Sequence, residues 1–223
     1  MIIVHHLNNS RSQRILWLLE EIGLPYEVKR YERDPKSMLA PPELRAVHPL
    51  GKSPVITDGE VTVAESGAII EYLVDKYSPL GLRPSRGTPE SLRYTYWLHF
   101  AEGSAMAPIL LTLVFNGVEK AKMPFPLHWM AKAISYGVKK NYIDGQLRLI
   151  FNFINEELKK KNWFAGANFS AADIQMSFAI EAGFSHPTIA ANFPRLKEFL
   201  NQIHERPAYQ RALEKGGPYK IEM

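Results

Sequence analysis

A chain of 223 residues, 46% hydrophobic and 22% charged, is long enough for one large domain or two small ones with a real core, and too apolar for a disordered segment. It has no cysteine, which excludes disulfides, thiolate metal sites and a protein thiol as nucleophile. The formal charge of +4 is uneven: residues 1–80 carry 9 basic and 11 acidic side chains (net −2) and residues 81–223 carry 18 and 12 (net +6), which suggests two units but is too diffuse for a nucleic-acid surface.

The start, Met1-Ile2-Ile3-Val4-His5-His6, lacks the basic flank and long apolar stretch of a signal peptide. The longest apolar run, Ile109–Phe115, is broken by Thr112 and falls short of the roughly 20 residues of a membrane span. A cytoplasmic protein without a membrane partner is expected. Residues 2–6 read as an apolar strand. Ile15, Leu18, Leu19 and Ile22 then recur at helical spacing, and Gly23 and Pro25 stop that helix. Tyr26 to Tyr31 alternates and is rich in aromatic and branched residues, a second strand. A short helix over 42–47 follows. Pro54–Thr57 and Val61–Ala64 flank Asp58-Gly59, a hairpin signal because glycine accepts positive φ. Ile69, Ile70, Leu73 and Tyr77 mark a helix from Ser66 to Tyr77. The order βαβ, helix, ββα with right-handed crossover predicts a four-stranded mixed sheet with helices on both faces.

Residues 78–89 hold three prolines and two glycines and read as a connection. After it nearly everything reads as helix, over about 89–116, 125–158, 171–184, 194–204 and 207–215. Ser170-Ala171-Ala172-Asp173 is a capping-box variant, with Phe169 and Ile174 placed as a hydrophobic staple. The expected organisation is a unit over 1–80, a linker over 81–88 and an all-helical unit over 89–223.

Gly51-Lys52-Ser53 is not a phosphate loop, because Ala46 stands where that loop needs glycine, and a strand rather than a helix follows Pro54. His5 and His6 point to opposite faces of a strand and cannot grip one ion, and no other histidine shows ligand spacing, so no metal is expected. Position alone favours an ordinary trans Ser53-Pro54 bond; a cis bond would turn the Ser53 backbone outward, toward an extended ligand. Glu65-Ser66-Gly67 begins a helix after a strand, where free N–H groups and the Ser66 hydroxyl suit a carboxylate and Glu65 suits an ammonium group. A plain helix cap is the alternative reading there. The same two readings apply to Asn8-Asn9-Ser10-Arg11-Ser12, whose hydroxyls lie where an anion such as a thiolate is stabilised, or where they merely cap helix one.

Taken in order, Ser10 after strand one, then Gly51-Lys52-Ser53-Pro54-Val55-Ile56, then Glu65-Ser66-Gly67-Ala68-Ile69-Ile70-Glu71-Tyr72-Leu73 resemble the thioredoxin-like half of cytosolic glutathione transferases. The second half resembles their helical domain, through Phe169-Ser170-Ala171-Ala172-Asp173 and Phe193-Pro194-Arg195-Leu196. The resemblance implies an α/β thioredoxin-like domain followed by an all-α domain, and a homodimer. It implies a cis bond before Pro54, with the Ser53 backbone pairing the cysteinyl part of glutathione, Glu65 and Ser66 holding its γ-glutamyl end, and Lys52 near its glycyl carboxylate. Ser10 falls where serine-type (theta- and delta-like) members keep the activating hydroxyl. The tyrosine of other members is replaced by His5 and His6, and their cysteine is missing, so Asn9 and Ser12 remain alternatives to Ser10. The implied reaction conjugates glutathione to small hydrophobic electrophiles held near Met106, Leu110 and Phe115. A non-catalytic glutathione-binding module and a glutathione-dependent peroxidase or disulfide reductase are the alternatives.

Overall fold

The computed structural model describes residues 1–78 and 81–221; Pro79 and Leu80 of the predicted connection, and the last two residues, lie outside the described residues. Strands β1 (Ile2–Leu7), β2 (Tyr26–Tyr31), β3 (Val55–Asp58) and β4 (Val61–Ala64) form one sheet in the order β2-β1-β3-β4. β1 runs parallel to β2, and the other two pairings are antiparallel. This is the expected mixed sheet, because the right-handed crossover through α1 (Ser12–Ile22) places β2 beside β1. Gly23, at φ 78°, closes α1 by returning its N–H to the Leu19 carbonyl. The hairpin differs by one residue from expectation: Asp58 pairs with Val61, leaving Gly59-Glu60 as the turn. Asp58 stays in the strand because its carboxylate accepts from Tyr72 and Lys76, both at 2.8 Å, and from Tyr77.

Helix α2 (Glu43–Val47) contributes Leu44 to a small cluster with Leu7 and Tyr31. Helix α3 (Ser66–Tyr77) joins Ile69, Ile70, Leu73 and Val74 to the main core with Ile2, Val4 and Ile56. α1 differs from a one-sided helix: every residue from Ser12 to Leu19 is buried. Its polar side withdraws from water because the helical half packs against it.

That half begins with α4 (Pro89–Phe100) and α5 (Met106–Lys120), joined without a break by a π turn over Ala101–Ala105 in which the Met106 N–H reaches the Ala101 carbonyl. Pro108 gives a physical reason for the irregularity, since it has no N–H and its ring crowds the carbonyl of residue 104. Helices α6 (Leu127–Val138) and α7 (Asp144–Lys160) are joined by a second π turn over Lys139–Ile143. Then come α8 (Ala171–Phe184), a short α9 (Pro187–Asn192) absent from the sequence expectation, α10 (Pro194–His204) and α11 (Pro207–Gly216). The helix Pro89–Lys120 is long and apolar enough to cross a membrane by length and composition alone, with a mean hydropathy of 1.5 over an 18-residue stretch. Counting unbroken apolar runs missed it, because small and weakly polar residues dilute hydropathy little. Its Trp97, Leu98, Ala101, Ala105 and Ile109 belong to the core.

The charge imbalance has an internal use. Glu20 and Glu21 of α1 meet cations of the helical half: Arg206 at 2.6 Å from Glu21, and Arg211 and Lys215 at 2.7 and 2.5 Å from Glu20. The seam is also close-packed. A Cβ on Gly216 would stand 2.3 Å from Gln13 Oε1. Within the helical half, a Cβ on Gly183 would stand 2.0 Å from Cζ of the fully buried Phe151. Gly183→Ala is therefore expected to destabilise by about 3 kcal/mol through overpacking. Urea unfolding measures it, and adding Phe151→Leu should recover part of the loss.

Candidate active site

Ser10 lies between the end of β1 and the first turn of α1, where unpaired helix N–H groups favour negative charge. It is 4% exposed. Its Oγ accepts from the Ser12 N–H at 3.2 Å, lies 2.7 Å from Ser12 Oγ, and donates to Ser53 Oγ at 3.5 Å. Ser53 in turn donates to the His5 carbonyl at 2.9 Å and accepts from the Leu7 N–H at 3.3 Å. The Ser53-Pro54 bond is cis, against the trans reading from position alone and in line with the resemblance. A second cis bond, Phe125-Pro126, carried no signal in the sequence reading.

The two alternatives to Ser10 are engaged elsewhere. Asn9 is exposed, at φ 47°, and its Oδ1 accepts from the Lys220 N–H at 2.8 Å, tying the carboxyl-terminal segment to the turn. Ser12 is fully buried, and its Oγ lies 2.9 Å from His6 Nδ1. Lys52 is exposed on the loop before Pro54, and Glu65 is exposed at φ 70° as the residue capping α3. Neither has an ion-pair partner among the described residues. A non-glycine residue at such a φ is costly and is held by its surroundings. Ser66 is the buried first residue of α3 rather than its cap.

The histidines on β1 point apart, as the strand period requires: His5 Nδ1 pairs with the Tyr31 hydroxyl at 2.9 Å and His6 Nδ1 with Ser12. Among the described residues no group of three or more His, Asp or Glu could hold a metal. Burial and the Arg30 charge push the His6 imidazole down from 6.5 to about 4, against a backbone bond at Gly216 that favours its charged form. The unfolded chain takes up this proton near pH 6.5 and the folded chain only near pH 4. His6 therefore stabilises the fold above pH 6.5, and that contribution, about 3 kcal/mol, is lost as the pH falls toward 4. His6→Gln should flatten the decline in urea midpoint over this window; a slope like that of the unsubstituted chain would refute the assignment.

Of the residues expected to hold an electrophile, Met106 is only 7% exposed and belongs to the core, Phe115 is half-buried, and Leu110 is 52% exposed. A cavity of about 510 Å³ lies between α4, α5 and α7, lined by Tyr96, Phe100, Leu111 and Phe153 among others. It contains none of these three residues and none of the predicted glutathione-site residues. Sequence reasoning also missed His6 behind Ser12, and the pair Arg11 and Arg14 converging on Glu102. Two arginines on the first turn of a helix with no acid in that turn was the available signal.

Residues 1–75 match the family model described as glutathione S-transferase, N-terminal domain, and residues 130–207 match glutathione S-transferase, C-terminal domain. The chain is 37% identical to glutathione S-transferase 3 of Schizosaccharomyces pombe, over 96% of this chain and 88% of the relative. It is 31% identical to glutathione S-transferase 1 of Saccharomyces cerevisiae, over 96% and 95%. A solved glutathione S-transferase from Actinobacillus pleuropneumoniae is similar at a TM-score of 0.78 and 34% identity, covering 97% of this chain and 93% of that one.

Proposed function

Because the chain belongs to the glutathione S-transferase family, we propose that it binds glutathione against residues 1–80 and conjugates it through its sulfur to small hydrophobic electrophiles. Residues 81–88 connect this unit to the helical unit, 89–223, which bears the electrophile. The observation that carries this reading is the gathering of Ser10, Ser12 and Ser53 hydroxyls at the head of α1. In this reading the Ser10 hydroxyl donates a hydrogen bond to the sulfur, favouring the thiolate, while its own oxygen accepts from the Ser12 N–H. The Ser53 backbone pairs with the cysteinyl unit. Glu65 takes the γ-glutamyl ammonium, Ser66 and the α3 N-terminus take its carboxylate, and Lys52 neutralises the glycyl carboxylate. The lack of ion-pair partners for Lys52 and Glu65 supports the assignment, since opposite charges left open suit a zwitterion.

The free thiol, with a pKa of about 8.5, is only about 3% ionised at pH 7, so raising that fraction is the task of the site. The electrophile then takes the sulfur lone pair and releases its leaving group or accepts a proton at carbon. The reading includes a cytoplasmic location and a homodimer, the second supported by exposed apolar side chains along α4 and α7, including Tyr96, Leu149 and Phe153. Glutathione titration by calorimetry and a conjugation assay with 1-chloro-2,4-dinitrobenzene test it together. Heat of binding with turnover is expected. Binding without turnover of any electrophile would favour a non-catalytic module, and no heat would remove the reading altogether.

A further inference from the structure

Beside Ser10 stands a charge cluster that thiol activation leaves unused. Arg11 and Arg14 leave the first turn of α1 and converge on one carboxylate, Glu102, presented from the helical half by the π turn over Ala101–Ala105. Arg14 is 2% exposed, and its two terminal amino groups are engaged, with Glu102 and with the Gln175 carbonyl at 2.6 Å. Arg11 is different. Its side chain is 33% exposed, its Nε edge lies 3.1 Å from Glu102 Oε2, and its guanidinium carbon stands 5.3 Å from the Phe178 ring centroid. Its two terminal amino groups have no partner among the described residues. Arg33 adds a third cation: burial and the Arg11 charge push its guanidinium below its ordinary value. It donates to the carbonyls of Asn8 and Met38, not to an acid. Burial alone would raise the Glu102 carboxyl, but Arg14 and Arg11 outweigh it and hold it below its ordinary value. Arg11 and Arg14 thus share one carboxylate, an excess of +1 (two minus one) beside the turn that carries Ser10, and Arg33 stands near enough for its charge and that of Arg11 to oppose each other.

We propose that Arg11 is a specificity-determining residue that selects electrophiles carrying an anionic group, a carboxylate on an apolar body, and that Glu102 sets the strength of that selection. The inference rests on the reading of Ser10 as the sulfur's partner, which places the electrophile between α1 and the helical half. A guanidinium matches a carboxylate with two parallel N–H bonds. Arg11 is held for this purpose, one edge against Glu102 and one face against Phe178, so little side-chain freedom is lost on binding. The apolar body would lie against the Phe178 ring, which already faces the Arg11 guanidinium.

The test uses a matched pair, 4-chloro-3-nitrobenzoate and 4-chloro-3-nitrobenzamide, which differ by one charge. Each kcat/KM is divided by the uncatalysed rate with glutathione at the same pH. The unsubstituted enzyme is expected to favour the acid by about fivefold at low salt, with the preference fading as ionic strength rises. Arg11→Gln should bring the ratio close to one, chiefly through KM for the acid, and Arg11→Lys should keep part of it. Glu102→Gln should move the ratio the other way, to a stronger preference for the acid, an outcome no loss of packing would produce. Equal ratios in the unsubstituted enzyme and Arg11→Gln overturn the inference while leaving the transferase reading intact. If neither compound nor 1-chloro-2,4-dinitrobenzene is turned over, the transferase reading fails. Calorimetry with the two S-aryl glutathione conjugates then reads the same selection without chemistry, and equal affinities overturn it.

Discussion

Ser10→Ala is expected to raise the pKa of enzyme-bound glutathione by one to two units and to cut conjugation about tenfold at pH 7, with a larger loss at pH 6. A hydrogen bond to a charged group contributes about 1.5–3 kcal/mol, and each pKa unit corresponds to about 1.36 kcal/mol. Without the hydroxyl the thiol returns toward about 8.5, where only about 3% is ionised at pH 7. Above that pH both enzymes carry thiolate and their rates should converge, so the deficit is a displaced pH profile and not a uniform loss. The lower nucleophilicity of a hydrogen-bonded thiolate returns part of the difference. Glutathione affinity should change little, because the cysteinyl, γ-glutamyl and glycyl contacts are assigned to other residues. Ser12→Ala and Asn9→Ala form the comparison. Ser12 is fully buried and Asn9 is committed to the Lys220 N–H, so both should shift the profile less than Ser10→Ala. A pH–rate profile unmoved by Ser10→Ala, measured alongside the ultraviolet absorbance of the thiolate, would transfer the role to one of them.

The pH window of that experiment must be chosen with His6 in mind. Its contribution to stability is lost between pH 6.5 and about 4, so rates should be compared at pH 6 and above, where most of that contribution remains. The coupling is geometric as well: His6 Nδ1 lies 2.9 Å from Ser12 Oγ, and Ser12 Oγ lies 2.7 Å from Ser10 Oγ. A buried neutral histidine thus borders the hydroxyl pair at the head of α1, and its protonation would change the direction of those hydrogen bonds.

Most of the secondary structure was legible because its signals are local. Gly23 ends α1 and Tyr26–Tyr31 alternates as a strand should. The capping box at Ser170 forms as written. What was not legible depends on contacts between distant segments. Asp58 reads as a turn residue, yet Tyr72, Lys76 and Tyr77 of α3 draw it into the strand. α1 shows an apolar face at helical spacing, but its polar positions are buried too, because α8 and α11 cover it. Met106 was placed beside an electrophile because the resemblance puts that pocket along the first long helix of the second half, which does not say which of its side chains turn inward; Met106 joins the core. The opposite charges of the two halves suggested two units; in the fold, Glu20 and Glu21 of the first pair with Arg206, Arg211 and Lys215 of the second. Ser10, Ser53 and Ser66 were named from their order along the chain, whereas Glu102 had no local signal, since its meaning lies in Arg11 and Arg14 across the seam.

Asp173→Ala is expected to cost on the order of 3–5 kcal/mol, a large share of the 5–15 kcal/mol that holds a typical domain folded. The carboxylate accepts from the Phe164 N–H at 2.8 Å, the Ser170 N–H at 2.8 Å and the Ser170 hydroxyl at 3.0 Å. All are buried, so alanine leaves three donors without an acceptor, each at about 1–3 kcal/mol. Asp173→Asn should cost less, since one oxygen remains, though its amide group opposes a donor. Ser170→Ala should cost least, about 1 kcal/mol, because the two backbone donors keep their partner. Urea unfolding ranks the three, and the melting temperature of Asp173→Ala should fall by roughly 10 °C at 2–4 °C per kcal/mol for a chain of this size. The consequence reaches the site because α8 is buried on every side and carries the Gln175 carbonyl that receives Arg14 and the Phe178 ring beneath Arg11. If the cap acts only through folding, the folded fraction of Asp173→Ala should bind glutathione with unchanged affinity and keep the same thiol pKa. A thiol pKa that moves in the folded fraction would mean instead that the cap helps to hold the arginines beside Ser10. A cost no greater than that of Ser170→Ala would mean that the Phe164 and Ser170 N–H groups find other acceptors, and that the start of α8 is held by packing alone.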